Sequence, residues 1–193
     1  TKTLGLKWDV SKDIFCFDAR KMDGEIKMTK RTLLSQIARI FDPLGFLSCV
    51  TIKGKILMQK LWIMNLDWDD NLPEESRKDL RNWHQQLERL DQLEFKRYLG
   101  VSPASSVSCH VFCDASCEAY GTVVYLRIEN ENEVVVNQVF AKARVTPVKS
   151  VSIPRLELVA ACLAVKVGQR VANSLGVNVE QTFYWTDSMD VLY

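Results

Sequence analysis

Apolar positions alternate with polar ones over residues 3–8, and residues 14–17 form a short apolar run, with Asp9-Val10-Ser11-Lys12-Asp13 between them. Two such stretches around a polar turn predict a β-hairpin. The period then changes. Leu34, Ile37, Ala38 and Phe41 recur at the spacing of one helical stripe, and Asp42-Pro43-Leu44-Gly45 stops that helix. Leu57, Leu61 and Met64 mark a second helix. After the acidic turn Asp67-Trp68-Asp69-Asp70, a third begins near Pro73-Glu74-Glu75. Proline suits the first helical position there, and the acids complement the helix dipole. Leu80, Trp83, Leu87 and Leu90 form its apolar stripe.

Residues 98–108, rich in Gly, Ser and Pro, read as a linker, and the domain boundary falls there. Beyond it the pattern is strand-like over 107–114, 121–128 and 134–145, with Glu129-Asn130-Glu131-Asn132-Glu133 as a polar turn. A helix follows over 153–175, with Ser152 as N-cap, Pro154 in its first turn and Gly176 as its stop. A fourth strand covers 182–186. The order is β-β-β-α-β, with another helix starting after Asp187. Both ends read as cut from a longer chain: Thr1 opens on strand-like sequence without a methionine, and Tyr193 stops as a helix begins.

Three acids stand in apolar surroundings. Asp114 ends a strand in Val111-Phe112-Cys113-Asp114, Glu157 lies in the first turns of a largely apolar helix, and Asp187 ends a strand in Phe183-Tyr184-Trp185-Thr186-Asp187. Taken singly, each also reads as a common turn or helix-start acid. At about 100° per residue, Lys166, Gln169, Arg170 and Asn173 fall on one side of the helix, and Glu157 falls opposite, in line with Ala161, Ala164 and Gly168. Those small residues let the helix approach a sheet closely. If the first and fourth strands are neighbours, Asp114 and Asp187 end side by side and the helix carries Glu157 over them. Clustered carboxylates repel unless a cation bridges them, and oxygen ligands suit Mg²⁺.

Composition narrows the classes. Of the 193 residues, 47% are hydrophobic, which supports a packed core and excludes wholesale disorder. The net charge of +1 is neutral on partners, but its distribution is not. Residues 27–60 hold seven bases and one acid, residues 67–94 nine acids and four bases, and residues 134–156 four bases and no acid. The two basic stretches read either as phosphate-contacting surfaces or as solvated faces. The six cysteines form no CxxC pair and read as reduced, buried thiols of an intracellular protein. No signal peptide or membrane span appears. His84 and His110 read as a helix-face and a strand residue, and Trp62, Trp68 and Trp83 as core or turn residues. There is no nucleophilic triad and no Asp-Thr-Gly or Asp-Ser-Gly for an aspartic peptidase.

Seven stretches together resemble the pol polyprotein of BEL/Pao-type LTR retrotransposons over essentially the full chain. They are residues 2–9 (KTLGLKWD), 34–45 (LSQIARIFDPLG), 56–62 (ILMQKLW), 66–70 (LDWDD), 112–116 (FCDAS), 152–158 (SIPRLEL) and 185–188 (WTDS). The resemblance implies an α/β chain in three segments. Residues 1–28 would be the end of the reverse transcriptase palm, a β-hairpin. Residues 29–96 would be a helical thumb and connection, and residues 105–193 an RNase H-like β-β-β-α-β domain, truncated at its C-terminus.

The same resemblance implies catalytic and metal-binding roles for Asp114, Glu157 and Asp187, with two Mg²⁺ ions, or Mn²⁺ in their place. A fourth acid lies downstream in RNases H, beyond Tyr193, so this fragment alone is expected to be inactive. The implied partners are an RNA·DNA hybrid and the rest of the pol polyprotein, with no membrane. The implied place is an intracellular retrotransposon particle in the cytoplasm, with the nucleus as an alternative. Lys142, Arg144, Lys149 and Arg155, together with Lys30, Arg31, Lys53 and Lys55, are the candidate phosphate contacts. The activity in the intact protein would be hydrolysis of the RNA strand. The alternatives are a nucleic-acid-binding remnant without catalysis and, third, an aspartic peptidase region of Pao type.

Overall fold

The computed structural model describes residues 2–3, 6–17, 27–175 and 181–192. They divide into two compact units: residues 1–43 with 49–98, and residues 44–48 with 99–193. Each is built on its own sheet and core.

In the first unit, β1 (Lys2–Thr3), β2 (Leu6–Asp9) and β3 (Ile14–Cys16) form an antiparallel meander, and the hairpin 6–16 agrees with the alternation read above. Leu4 and Gly5 lie outside the described residues, as do 18–26. A strand not foreseen, β4 (Glu94–Lys96), joins the edge at β3. Arg97 fastens it by donating to both carboxylate oxygens of Asp13, at 2.6 and 3.0 Å. Asp13 sits at φ +54, a left-handed turn conformation that Asp tolerates.

Helices α1 (Lys30–Arg39), α2 (Ser48–Ile63) and α3 (Glu74–Leu87) complete this unit. Thr29 caps α1 in a reciprocal box with Thr32. The core is Leu33, Leu57, Leu61, Leu72, Leu80 and Trp83. The stripe expected on α1 is therefore one residue out of phase. Leu33 is buried, with Ile37 and Ile40 packed beside it, whereas Leu34 and Phe41 are exposed. Met64 likewise falls beyond the end of α2 and is exposed. Pro73 is the N-cap of α3 rather than its first residue, and Leu90 is buried from a short 3-10 turn after it.

The second unit carries the strand-rich half. Strands β5 (Ser106–Ala115), β6 (Ala119–Glu129) and β7 (Val134–Val145) form an antiparallel meander. The chain then crosses through α4 (Ile153–Ser174) to β8 (Gln181–Trp185), which lies parallel to β5. The sheet order is β7-β6-β5-β8. Alternation along β5 and β6 sends Val107, Cys109, Val111, Val124, Leu126 and Ile128 into one core beneath Ala164 and Val167 of α4. Gly168 makes the close approach possible, since a Cβ there would lie 2.9 Å from Val111 Cγ2 and 3.0 Å from the Tyr184 hydroxyl. Gly176, the expected stop of α4, lies outside the described residues. A short α5 (Met189–Leu192) follows β8.

Residues 44–48 belong to this second unit. The amide of Ala141 donates to the Leu44 carbonyl at 2.9 Å, so the segment lies along the β7 edge. Gly45 is required there: its φ is +77, and a Cβ would fall 1.8 Å from the Ala141 carbonyl oxygen.

Candidate metal centre

The parallel pairing of β5 with β8 decides where the acids go. Phe112 pairs with Trp185, and the same register carried two residues further sets Asp114 beside Asp187. Glu157 arrives from the first turns of α4, on the buried face that also holds Leu156, Ala160, Ala164, Val167 and Gly168. The small residues in line with Glu157 thus include Ala160, where Ala161 was expected. Carboxylate oxygens of Asp114, Glu157 and Asp187 all lie within 4.8 Å of one another. The geometry expected from strand-helix-strand order is present at this point.

The three acids are not equivalent. Asp114 and Asp187 are exposed, whereas Glu157 is only 8% exposed. Its Oε2 is buried without a hydrogen-bond partner among the described residues. Burial pushes the Glu157 carboxyl above its ordinary range. The Asp114 and Asp187 charges push it further the same way, and the Ala115 amide pulls it partly back. A buried, unpartnered carboxylate oxygen facing two more carboxylates is a donor set that a hard divalent cation satisfies. The residues present therefore fit Mg²⁺ or Mn²⁺.

Backbone and turn groups organise this cluster, and the hydrophobic pattern did not reveal them. The Ala115 amide donates to Asp114 Oδ1 at 2.7 Å. Thr186 Oγ1 accepts from the Ser188 amide at 3.1 Å and so shapes the turn that carries Asp187. Small hydroxyl residues beside each strand-end Asp were the available signal. Cys113 is half-buried next to the cluster, and its thiol donates to the Trp185 carbonyl at 3.6 Å. Burial raises its pKa, Thr186 opposes that, and the three carboxylates add to the rise. It is a protonated wall of the site, not a thiolate.

The basic residues fall into two groups. In the second unit, Ala143 pairs with Gly121 and Gly121 with Asp114, so one row crosses the sheet from the carboxylates to β7. Lys142 and Arg144 sit on either side of Ala143 in β7, two strand spacings, about 10 Å, across the sheet backbone from β5. Arg144, Lys149 and Arg155 are exposed, and Lys142 is half-buried. In the first unit Lys53 and Lys55 are exposed, with Lys53 donating to Gln86 Oε1 at 3.0 Å. Lys30 and Arg31 are committed elsewhere. Lys30 is buried, donates to the Leu66 carbonyl, and lies 4.8 and 5.0 Å from the ring centres of Trp62 and Trp68. Arg31 grips both Asp69 oxygens at 2.8 and 2.9 Å. Of these two, Lys30 faces protein groups, whereas Arg31 stays exposed in its pair with Asp69.

Other sequence readings are corrected here. Trp83 is core, donating its indole N–H to the Val50 carbonyl at 2.9 Å, but Trp62 is 56% exposed on α2. Its ring meets Trp68 edge-on over Lys30, which supplies the partner a buried position would otherwise give. Cys49, Cys117 and Cys162 are exposed, not buried, because they occupy outward positions on helices and a turn. His84 is held by Gln36 at 2.8 Å. His110 stacks with Phe183 and Trp185 and accepts the Trp185 indole N–H at 3.2 Å, on a sheet face where Phe112, Phe183 and Trp185 remain exposed. No helix among the described residues is long and apolar enough to cross a membrane.

No curated protein matches the chain. Among solved structures, the chain is similar to a foamy viral protease-reverse transcriptase dRH in complex with ds DNA. The identity is 14% and the TM-score 0.46, covering 100% of this chain and 32% of that one. A second foamy viral protease-reverse transcriptase in complex with dsDNA matches at 13% identity and TM-score 0.24, covering 87% of this chain and 33% of that one. The chain thus spans about a third of those proteins. A family model, the Pao retrotransposon-like RNaseH-like domain, matches residues 29–188, a span that contains all three clustered acids. The chain belongs to the Pao retrotransposon-like RNaseH-like domain family.

Proposed function

We propose that this region, within a pol polyprotein, holds an RNA·DNA hybrid and hydrolyses its RNA strand with divalent ions bound by Asp114, Glu157 and Asp187. One observation carries the reading: three carboxylates converge within 4.8 Å, and the buried one has an oxygen without a hydrogen-bond partner. Mg²⁺, or Mn²⁺, bound there supplies an activated water and neutralises charge on the leaving oxygen.

The chain's own groups do the rest. Glu157 is fixed by a packed helix and faces the site from the buried side. Asp114 and Asp187 present their carboxylates at the open side, where a phosphodiester arrives. Lys142, Arg144, Lys149 and Arg155 offer positive charge near the same sheet end for neighbouring phosphates. Contacts of this kind recognise backbone shape and 2′-hydroxyls rather than base sequence.

The test is cleavage of a labelled RNA·DNA hybrid by the full pol protein in Mg²⁺, with Asp114→Asn alongside. Hybrid cleavage that Asp114→Asn lowers by about a hundredfold or more supports the reading, that being the order lost with a key electrostatic group. Equal cleavage by both proteins refutes the site. Salt-sensitive hybrid binding with no cleavage in Mg²⁺ or Mn²⁺ leaves a binding module instead.

A further inference from the structure

We propose that Ser116 is a positioning residue for the metal centre: through the β5–β6 turn it holds the Ala115 amide on the Asp114 carboxylate. This rests on the metal-site reading above and adds a residue outside the carboxylate set.

Asp114 and Glu157 carry like charge at close range, so without an ion each is driven from the other. A neutral backbone group steadies Asp114 against this. The Ala115 N–H donates to Asp114 Oδ1 at 2.7 Å. A backbone amide stays aimed at a side-chain carboxylate only if its peptide plane is fixed, and Ala115 is the last residue of β5.

The turn that follows fixes it. The Ser116 amide donates to the Ala119 carbonyl at 2.8 Å. The Ser116 hydroxyl donates to the same carbonyl at 3.0 Å, and it accepts from the amides of Glu118 at 3.3 Å and Ala119 at 3.1 Å. One side chain thus closes the whole turn. Its outer carbonyls are tied down from β7's end by buried Thr146: its hydroxyl donates to the Cys117 carbonyl at 2.8 Å, and its amide donates to the Glu118 carbonyl at 3.0 Å. The Ser116 side chain is exposed and buries nothing, so its three bonds act locally on the geometry of the turn. Groups that orient metal ligands this way commonly change affinity by about 10–100-fold when removed.

The experiment is a calorimetric Mn²⁺ titration of the whole chain, unaltered and as Ser116→Ala, Ser116→Thr and Ser105→Ala, with melting temperatures measured in EDTA. Ser105 is a turn hydroxyl of the same kind, bonded to the Ser102 amide at 2.8 Å and remote in sequence from the acids. The expected result is Mn²⁺ affinity about tenfold weaker in Ser116→Ala, restored in Ser116→Thr and unchanged in Ser105→Ala. If the unaltered chain binds Mn²⁺ and Ser116→Ala binds it equally, the positioning role is overturned while the metal site stands. Equal loss in Ser105→Ala and Ser116→Ala also overturns it, since the effect is then general stability. If the unaltered chain binds no Mn²⁺, the metal reading falls and this role falls with it.

Discussion

Glu157 is where residue-scale physics is most exposed. Burial, then the neighbouring Asp114 and Asp187, raise its pKa in the folded chain above the unfolded value. The protonated form is thus the one the fold favours. Stability from this group is fully present below the unfolded pKa and is lost as pH rises through the folded pKa. Without divalent ions, Glu157→Gln should therefore melt above the unaltered chain at pH 8. At pH 4 the two should coincide. A difference that does not change with pH contradicts the assignment. The acids were legible in the sequence because a carboxylate at the end of an apolar strand, or on the small-residue face of a helix, breaks a visible pattern. The Ala115 amide was not legible, since every residue but proline has one and only the turn decides its aim.

At the scale of elements, phase is what hydrophobic spacing leaves open. Leu33 and Leu34 are adjacent, and either starts a helical stripe; the capping box at Thr29 and packing on α2 and α3 select Leu33. Leu33→Ala should cost about 2–5 kcal/mol in urea unfolding, against about 0.5 or less for Leu34→Ala. The reverse order would contradict the phase of α1. The edge segment 44–48 gives a second test. Gly45→Ala meets both a left-handed backbone and the Ala141 carbonyl, so it should destabilise the second unit by about 2 kcal/mol or more. Protection of the Ala141 amide from hydrogen exchange should fall with it. Asp42-Pro43-Leu44-Gly45 was readable as a helix stop, but its pairing with β7 was not, because nearly a hundred residues separate the partners. The strand β4 was missed for the same reason, being three residues long and paired to β3 across the chain. The first three strands and the crossover helix of the second unit were readable because each is long and patterned, and the five-residue β8 because Phe183-Tyr184-Trp185 is a run of strand-forming residues.

At the scale of the whole molecule, charge is arranged rather than abundant. A net charge of +1 conceals a segment of four bases without an acid beside the carboxylate end of the sheet. If those bases contact phosphates, hybrid affinity should fall with salt, and Arg144→Ala should reduce the slope of log K against log salt by about 1 while weakening all sequences alike. An unchanged slope would remove Arg144 from the interface. The central claim is that three acids from two strands and a helix make one divalent-cation site. It is tested most directly by adding sub-stoichiometric Mn²⁺ to isotope-labelled chain and following amide NMR signals. Broadening that begins at Ala115, Glu157, Asp187 and Ser188, and disappears in Asp114→Asn, is the predicted result. Broadening centred elsewhere, or unaltered by Asp114→Asn, would contradict it.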